Sequence, residues 1–298
     1  MGNSQPMKTM ERLGATPARV LWVLLAVVAA IPVGDALDGR STAVRAVVLV
    51  WLWAGWAGGL VSLLVPRSSA LTAMRVIVPA ATAAMAASVV AGSETEVGDL
   101  VAVAVAALAT VAVLFPWVGE AWVDGSSYGS EQRLILRPPA LLSYLLAPLT
   151  WTVVVAGATV GPLLLAAGEF IVGVPVTVIG GVAVWAGVRS LHQLSRRWLV
   201  MVPAGIVLHD HLVMPEPQLF RRHTISLLGP AEVETEANDL TAGAPGLALQ
   251  LDLHEPVELL VRTGGRSSET RESSSLLFTP SRPVRVMAAA AKKRIPVG

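Results

Sequence analysis

The stretch of sequence that most resembles a metal-binding pattern is HDH, residues 209–211, in which two histidines flank an aspartate. Side chains two residues apart on a β-strand point to the same face, so His209 and His211 could act together with Asp210 or His223. A zinc site normally needs three or four ligands with supporting hydrogen bonds around them. The end of a strand beside a turn explains the same residues, and we expect neither a metal nor another cofactor.

Three carboxylates near the middle of the chain are the other candidates for chemistry. Glu120, Asp124 and Glu131 could perform acid–base catalysis at a membrane surface, but no nucleophile or base partner can be identified for them. The chain has no Cys, and it contains no glycine-rich phosphate loop, GxSxG, HExxH or CxxC motif. The sequence therefore favours a protein without enzymatic activity, and an enzyme acting through these carboxylates is a third hypothesis.

Apolar segments dominate the first two thirds of the chain. Of the 298 residues, 54% are hydrophobic and only 14% are charged, whereas about a quarter are charged in a soluble domain. Six segments are long enough to cross a bilayer as helices: 20–37, 46–65, 76–92, 100–118, 141–165 and 169–188. We predict a six-helix transmembrane domain over residues 20–190, preceded by a cytoplasmic arm, residues 1–19. Its spans carry almost no ionisable residues, which argues against pumps and membrane enzymes.

Basic residues alternate between the connections of these segments and predict their orientation. One side holds Lys8, Arg12, Arg19, Arg67, Arg75, Arg133, Arg137, Arg189, Arg196 and Arg197. The other side holds only Arg40 and Arg45, and the connection 93–99 is acidic. By the positive-inside rule both termini are cytoplasmic, as expected for a multi-pass plasma-membrane protein.

After Ser195 the spacing of the hydrophobic residues changes from the period of a helix to the alternation of β-strands. Predicted strands cover 198–202, 206–212, 218–228, 247–253, 257–262 and 276–279, with polar linkers at 231–246 and 263–275. A helix is predicted within 280–294. These elements indicate a cytoplasmic, antiparallel β-rich domain of the α+β type over residues 195–298.

Two stretches of the sequence resemble known families. RRWLVMVPAGIVLHD (196–210), followed by more strands and a closing helix, resembles the bacterial pleckstrin-homology-like (PH-like) domains often found beside membrane spans. VDGSSYGSEQRLILRPP (123–139) is similar to a segment of uncharacterised actinobacterial integral membrane proteins with no established activity. The resemblance implies a PH-like fold for about a third of the chain and a bacterial plasma membrane. No headgroup ligand is implied, because the basic phosphate-binding loop of phosphoinositide-binding homologues is absent.

The cytoplasmic loop 119–140 and the basic residues of the C-terminal domain are candidate contact sites. The loop is longer than topology requires. It either docks on the C-terminal domain or a partner through Tyr128, Arg133 and Arg137, or is a solvated connector. Basic side chains near anionic headgroups contribute about 1 kcal/mol each, although ordinary solvated charge is the alternative. The candidates for this membrane-surface contact are Arg196, Arg197, Lys292, Lys293 and Arg294.

We expect a non-enzymatic adaptor whose helical bundle anchors a domain that binds a protein partner or the inner leaflet, with cell-envelope assembly as one setting. The alternative is a transporter or channel component for a lipid-like or apolar substrate, in which Pro148, Pro162 and Pro175 would permit movement. The net charge of +1 gives no drive toward nucleic acid. Small residues four apart predict close helix packing within the chain, and a homo-oligomer stays open. They are Gly55/Gly59, Gly157/Gly161 and Ala183/Gly187.

Overall fold

Helices and strands separate into two units in the computed structural model, which describes residues 14–92, 95–264 and 267–298. The helical unit comprises the chain up to Trp122 and residues 149–192, and the sheet unit comprises residues 123–148 and 193–298. The chain therefore passes between the units three times. The predicted arm residues Lys8 and Arg12 lie outside the described residues.

The helical unit confirms the predicted series of apolar helices. Its helices are α1 (Thr16–Val28), α2 (Ala30–Leu37), α3 (Thr42–Leu64), α4 (Ser68–Ala91), α5 (Val97–Leu114), α6 (Pro116–Asp124), α7 (Ala147–Ala166) and α8 (Phe170–Leu194). A π-helical turn, Leu142–Leu146, leads into α7. Five of these helices, α7 being taken with that turn, are long and apolar enough to cross a membrane. The pair α1 and α2, bent by 40°, makes a sixth candidate span.

Small residues bring α7 and α8 together, as their spacing predicts. Gly157 and Gly180 face each other so closely that a Cβ at either position would lie within 3 Å of the other's carbonyl oxygen. Gly161 packs on Thr177 in the same way. Of the pair Gly55/Gly59, only Gly59 meets another helix: it lies against the Trp22 ring of α1.

Polar groups collect at one end of the helical unit. Arg19 Nε donates to the Leu63 carbonyl at 2.9 Å, and Trp122 Nε1 donates to the Ser62 carbonyl at 2.8 Å. The Thr72 hydroxyl lies 2.9 Å from His192 Nδ1. Arg75, which the sequence places in a connection, instead lies within α4 with its Nε buried. It follows Thr72 by three residues, so both lie on one face of α4.

The sheet unit contains two four-stranded sheets and a closing helix. Its elements are β1 (Gln132–Ile135), β2 (Trp198–Val202), β3 (Gly205–His209), β4 (Gln218–Arg221), β5 (Ile225–Pro230), β6 (Asn238–Asp239), β7 (Leu249–Gly264), β8 (Ser267–Phe278) and α9 (Pro283–Lys292). The strand orders are β1-β2-β3-β4 and β5-β7-β8-β6, antiparallel except where β6 runs parallel to β8. The predicted layout of apolar helices followed by a sheet domain is confirmed.

Alternating apolar residues from both sheets and α9 form one core. Leu249, Leu251 and Leu253 are all buried, as the pattern LALQLDL predicts. The same core includes Met201 of the first sheet and Val286 of α9.

Several strands differ from the sequence prediction. The predicted strand 218–228 is divided into β4 and β5, which belong to different sheets, and the predicted strands 247–253 and 257–262 form one strand, β7. The short strand β6 lies in the predicted linker 231–246. Residues 263–275, predicted as a linker, belong mostly to β8, whose first half is exposed and polar. Backbone hydrogen bonds with β7 hold this half of β8 in the sheet. Its residues are polar, so their hydrophobicity pattern does not reveal a strand. The strand β1 comes from the loop 119–140 and pairs with β2. The α7–α8 helical hairpin is therefore inserted between two neighbouring strands.

Candidate functional site

A buried ion pair between Arg197 and Asp210 organises the start of the sheet unit. Both side chains are 1% exposed. Arg197 Nε donates to Asp210 Oδ1 at 2.7 Å, and Nη2 donates to Oδ2, so the contact is bidentate. Two-pronged pairing of this kind suits the planar guanidinium. The charges thus compensate each other inside the sheet unit.

The same arginine fastens the loop 119–140 to the sheet. Arg197 Nη1 donates to the Arg137 carbonyl at 2.7 Å, and the Arg197 carbonyl accepts from Leu136 N at 3.0 Å. Because its guanidinium is fully engaged and buried, Arg197 does not lie on the surface. The prediction that Arg197 contacts the membrane surface is therefore wrong.

The residues of the HDH stretch, 209–211, and His223 make contacts of the fold and are not gathered as metal ligands. The His209 ring stacks on the Trp198 ring at 5.0 Å between centroids. The strand β3 ends at His209, so the same-face argument for His211 does not apply. Asp210 is held by Arg197, and His223 lies in a short 3-10 turn after β4. Within residues 14–92, 95–264 and 267–298, no group of three or more His, Asp or Glu could hold a metal ion.

Burial lowers the pKa of both His209 and His211. The positive charge of Arg196 lowers the pKa of His209 further, and Arg197 acts similarly on His211, while Asp210 opposes both effects. The neutral imidazoles are therefore the forms that the fold favours.

We expect the stability of the sheet unit to fall as the pH drops below about 6.5, the ordinary histidine pKa. In the unfolded chain both histidines take up protons near that pH, whereas in the folded protein they do so only at lower pH. Their contribution is thus complete above the unfolded pKa and is lost as the pH falls through the folded pKa. Melting temperatures between pH 7.5 and 5.5 measure this effect. A His209→Gln, His211→Gln double variant should show a shallower dependence, and an unchanged slope would assign the effect to other groups.

A tight turn at residues 128–131 shapes the outer part of the loop. Tyr128 N donates to Glu131 Oε1 at 2.7 Å, and Glu131 N donates to the Tyr128 carbonyl at 3.2 Å. Gly129 takes φ +60° inside this turn, where a Cβ is unfavourable. Asp124 Oδ1 accepts from the Ser127 hydroxyl and from Arg133 N, both at 2.9 Å.

The carboxylates of the enzyme hypothesis therefore have structural roles in the loop. Glu131 also forms an ion pair with Arg133 at 3.0 Å, while Asp124 anchors the turn. Glu120 is separate from them in the helical unit, where it is 1% exposed. Contacts within the loop thus engage Asp124 and Glu131.

The turn and the end of α9 enclose a shallow groove of about 410 Å³. Lys293 Nζ donates to the Ser130 carbonyl at 2.6 Å and brings the two elements together. We call this feature the loop–helix groove; it is lined by Asp124, Gly129, Ser130, Glu131, Gln132, Ala289, Lys292 and Lys293. Tyr128, next to Gly129 in the chain, is 89% exposed. The structure thus brings the turn that follows Tyr128 to the lysines, which the sequence assigns to a different contact.

The remaining predicted contact residues divide into half-buried and exposed groups. Arg133 lies over the Trp198 ring at 5.6 Å. Arg137 Nη1 donates to the Pro245 carbonyl at 3.3 Å. Both arginines thus hold the loop on the sheet unit itself. Arg196 and Arg294 are exposed.

Sequence reasoning did not predict the central ion pair. The two-residue turn at Pro203 and Ala204 sets Trp198 opposite His209. One step further along both strands, the same register places Arg197 beside Asp210. In this observed register the arginine and the aspartate occupy matching cross-strand positions, where opposite charges stabilise a sheet.

No family model matches the chain, and neither a curated protein nor a solved structure does.

Proposed function

We propose that this is a multi-pass protein of a bacterial plasma membrane whose helical unit anchors a cytoplasmic PH-like domain, and that this domain binds a partner protein through the loop–helix groove. The observation that carries the proposal is the groove itself. It joins the loop turn 129–132 to the ammonium groups of Lys292 and Lys293 at the end of α9, and the exposed Tyr128 directly precedes this turn in the chain.

The surface of the helical unit supports the membrane assignment. Large apolar side chains project from its helices, including Ile171 at 93%, Val90 at 86% and Trp185 at 69% exposure. Apolar patches of this kind need an apolar environment, which a lipid bilayer supplies. The alternation of basic connections supports cytoplasmic termini.

The arrangement of the sheet unit supports the PH-like assignment. Two four-stranded sheets share one core, and α9 closes it, as the resemblance of residues 196–210 implies. Its first strand precedes the α7–α8 hairpin and its second strand follows it. Three chain connections therefore tie this unit to the helical unit, which suits an anchor that presents a binding domain.

The chemistry of the groove suits binding. Tyrosine and arginine are enriched where protein interfaces concentrate their binding energy. Exposed Lys292 and Arg294 lie at the end of α9. Asp124 and Glu131 also line the groove, but contacts within the loop engage their carboxylates. We infer that the partner presents an acidic group to Lys292 and an apolar contact to the exposed Tyr128 ring.

A photo-crosslinking experiment tests this proposal. A photoreactive amino acid at position 128 should crosslink one partner protein in intact cells. Lys292→Glu should lower the crosslinked yield about tenfold, which corresponds to about 1.4 kcal/mol of binding free energy. The matched control is Arg222→Glu, a charge reversal at an exposed basic residue outside the groove lining, and it should leave the yield unchanged. Crosslinks to lipid alone would favour the inner leaflet as ligand, and equal losses in both variants would contradict the assignment to the groove.

A transporter or channel component for a lipid-like substrate is the second candidate. The π-helical turn Leu142–Leu146 and the prolines within α7 and α8, Pro162 and Pro175, favour it, because such irregular helices recur at functional positions. Flux of a lipid through the protein in vesicles, unchanged by Lys292→Glu, would support this candidate over the adaptor.

A further inference from the structure

The helix α9 ends in a reversal that directs the following residues to the second sheet. Arg294 N donates to the Ala291 carbonyl at 3.0 Å, and Ile295 N donates to the Ala290 carbonyl at 3.1 Å. This bonding pattern defines a Schellman motif, whose left-handed position usually holds glycine. Here that position is Arg294, with φ +59°, a conformation that a Cβ disfavours.

Residues 295–298, the edge segment, continue from this reversal along β5. Leu228 N donates to the Pro296 carbonyl at 3.0 Å, and Gly298 N donates to the Leu228 carbonyl at 3.1 Å. Leu228 and Val297 form a parallel bridge. Because β5 is the outer strand of its sheet, the edge segment covers an edge that would otherwise offer its backbone groups to another strand.

The contacts of the edge segment define what the β5 edge accepts. Ile295 is 3% exposed and belongs to the common core, whereas Val297 is 40% exposed. Gly298 passes close to Leu227, since a Cβ there would lie 3.3 Å from a methyl group of that residue. The β5 edge therefore holds an extended four-residue segment. Its first residue is a buried aliphatic side chain, its second offers a carbonyl acceptor, and its fourth is small.

The attachment of the edge segment is weak enough for exchange. One buried side chain and two backbone hydrogen bonds to Leu228 hold it, and the connecting residue, Arg294, has an unfavourable backbone conformation. Release of the edge segment would let Arg294 adopt an ordinary backbone conformation. This would offset part of the free energy lost with the contacts.

We propose that the β5 edge is a docking site for an extended segment of a partner protein, with a branched aliphatic residue in the place of Ile295, and that residues 295–298 occupy this site in the absence of the partner. Strand addition of this kind takes its affinity from backbone hydrogen bonds and its specificity from alternate side chains. This site is separate in its residues from the loop–helix groove, so either can fail without the other.

A peptide-exchange experiment tests the proposal. The protein is ended after Arg294, and a fluorescent peptide with the sequence of residues 293–298, KRIPVG, is added. We expect saturable binding at least tenfold tighter than to the unaltered chain, and loss of binding when aspartate replaces isoleucine in the peptide. Hydrogen exchange at Leu228 should quicken in the shortened protein and slow again when the peptide is bound. Lys292→Glu should leave this binding unchanged, which separates the result from the groove.

A second variant keeps the test decisive if the shortened protein unfolds. Ile295→Ala in the full chain removes the anchor and should raise peptide binding, while Arg294→Gly should lower peptide binding because it removes the unfavourable backbone conformation. Absence of peptide binding to a folded shortened protein, or to the folded Ile295→Ala protein, would overturn the proposal.

Discussion

Replacing Arg197 by alanine is expected to lower the free energy of unfolding of the sheet unit by about 3–5 kcal/mol, because the change leaves the buried Asp210 carboxylate without its counter-ion. It also removes the donor to the Arg137 carbonyl. The loop 119–140 should therefore loosen from β2 and carry the loop–helix groove with it. Thermal unfolding measures the loss, and hydrogen exchange over residues 132–137 reports the loosening.

Two control variants identify the cause. A double variant, Arg197→Met with Asp210→Leu, removes both charges and should recover most of the lost stability, since paired apolar residues often replace a buried ion pair without loss. Arg197→Lys keeps the charge but not the two-pronged contact, and should fall between the unaltered protein and Arg197→Ala. A double variant as unstable as the single one would show that the uncompensated carboxylate is not the cause.

Replacing Gly180 by valine is expected to separate α7 from α8. A Cβ at this position would lie 2.4 Å from the Gly157 carbonyl oxygen, so the two helix backbones must move apart. Overpacking of a close interface costs about 1–3 kcal/mol, and the two further methyl groups of valine add to the displacement. The melting temperature of the detergent-solubilised protein should fall by several degrees, in the range expected for such a loss.

The neighbouring glycine is a matched control for this change. Gly181 lies on the same helix, and a Cβ there would meet nothing within 4 Å. Gly181→Val therefore introduces the same residue with the same helix propensity and without the collision. Equal destabilisation by the two variants would mean that the α7–α8 contact does not depend on the absence of a side chain at Gly180.

The elements that sequence reasoning predicted well are those whose signal is local. A span shows itself through consecutive apolar residues, and five or six such helices are present. The strand at Leu249–Leu253 shows itself through alternation, and β2 and β3 show themselves through two short apolar runs on either side of the turn residues Pro203, Ala204 and Gly205. In each case neighbouring residues along the chain carry enough information, because burial along one helix or one strand is set by its own periodicity.

The tertiary structure alone decided the elements that depend on distant partners. The short β1 is a strand only because β2, more than sixty residues later in the chain, pairs with it, and the polar first half of β8 is a strand only because β7 does. Lys293 reaches Ser130, and residues 295–298 reach Leu228, through packing that no local pattern encodes. The sequence by itself determined an apolar helical region followed by a sheet domain. The fold decided which charges are buried, as Arg197 is, and which remain exposed, because burial of a charge depends on the counter-ion that the fold places beside it.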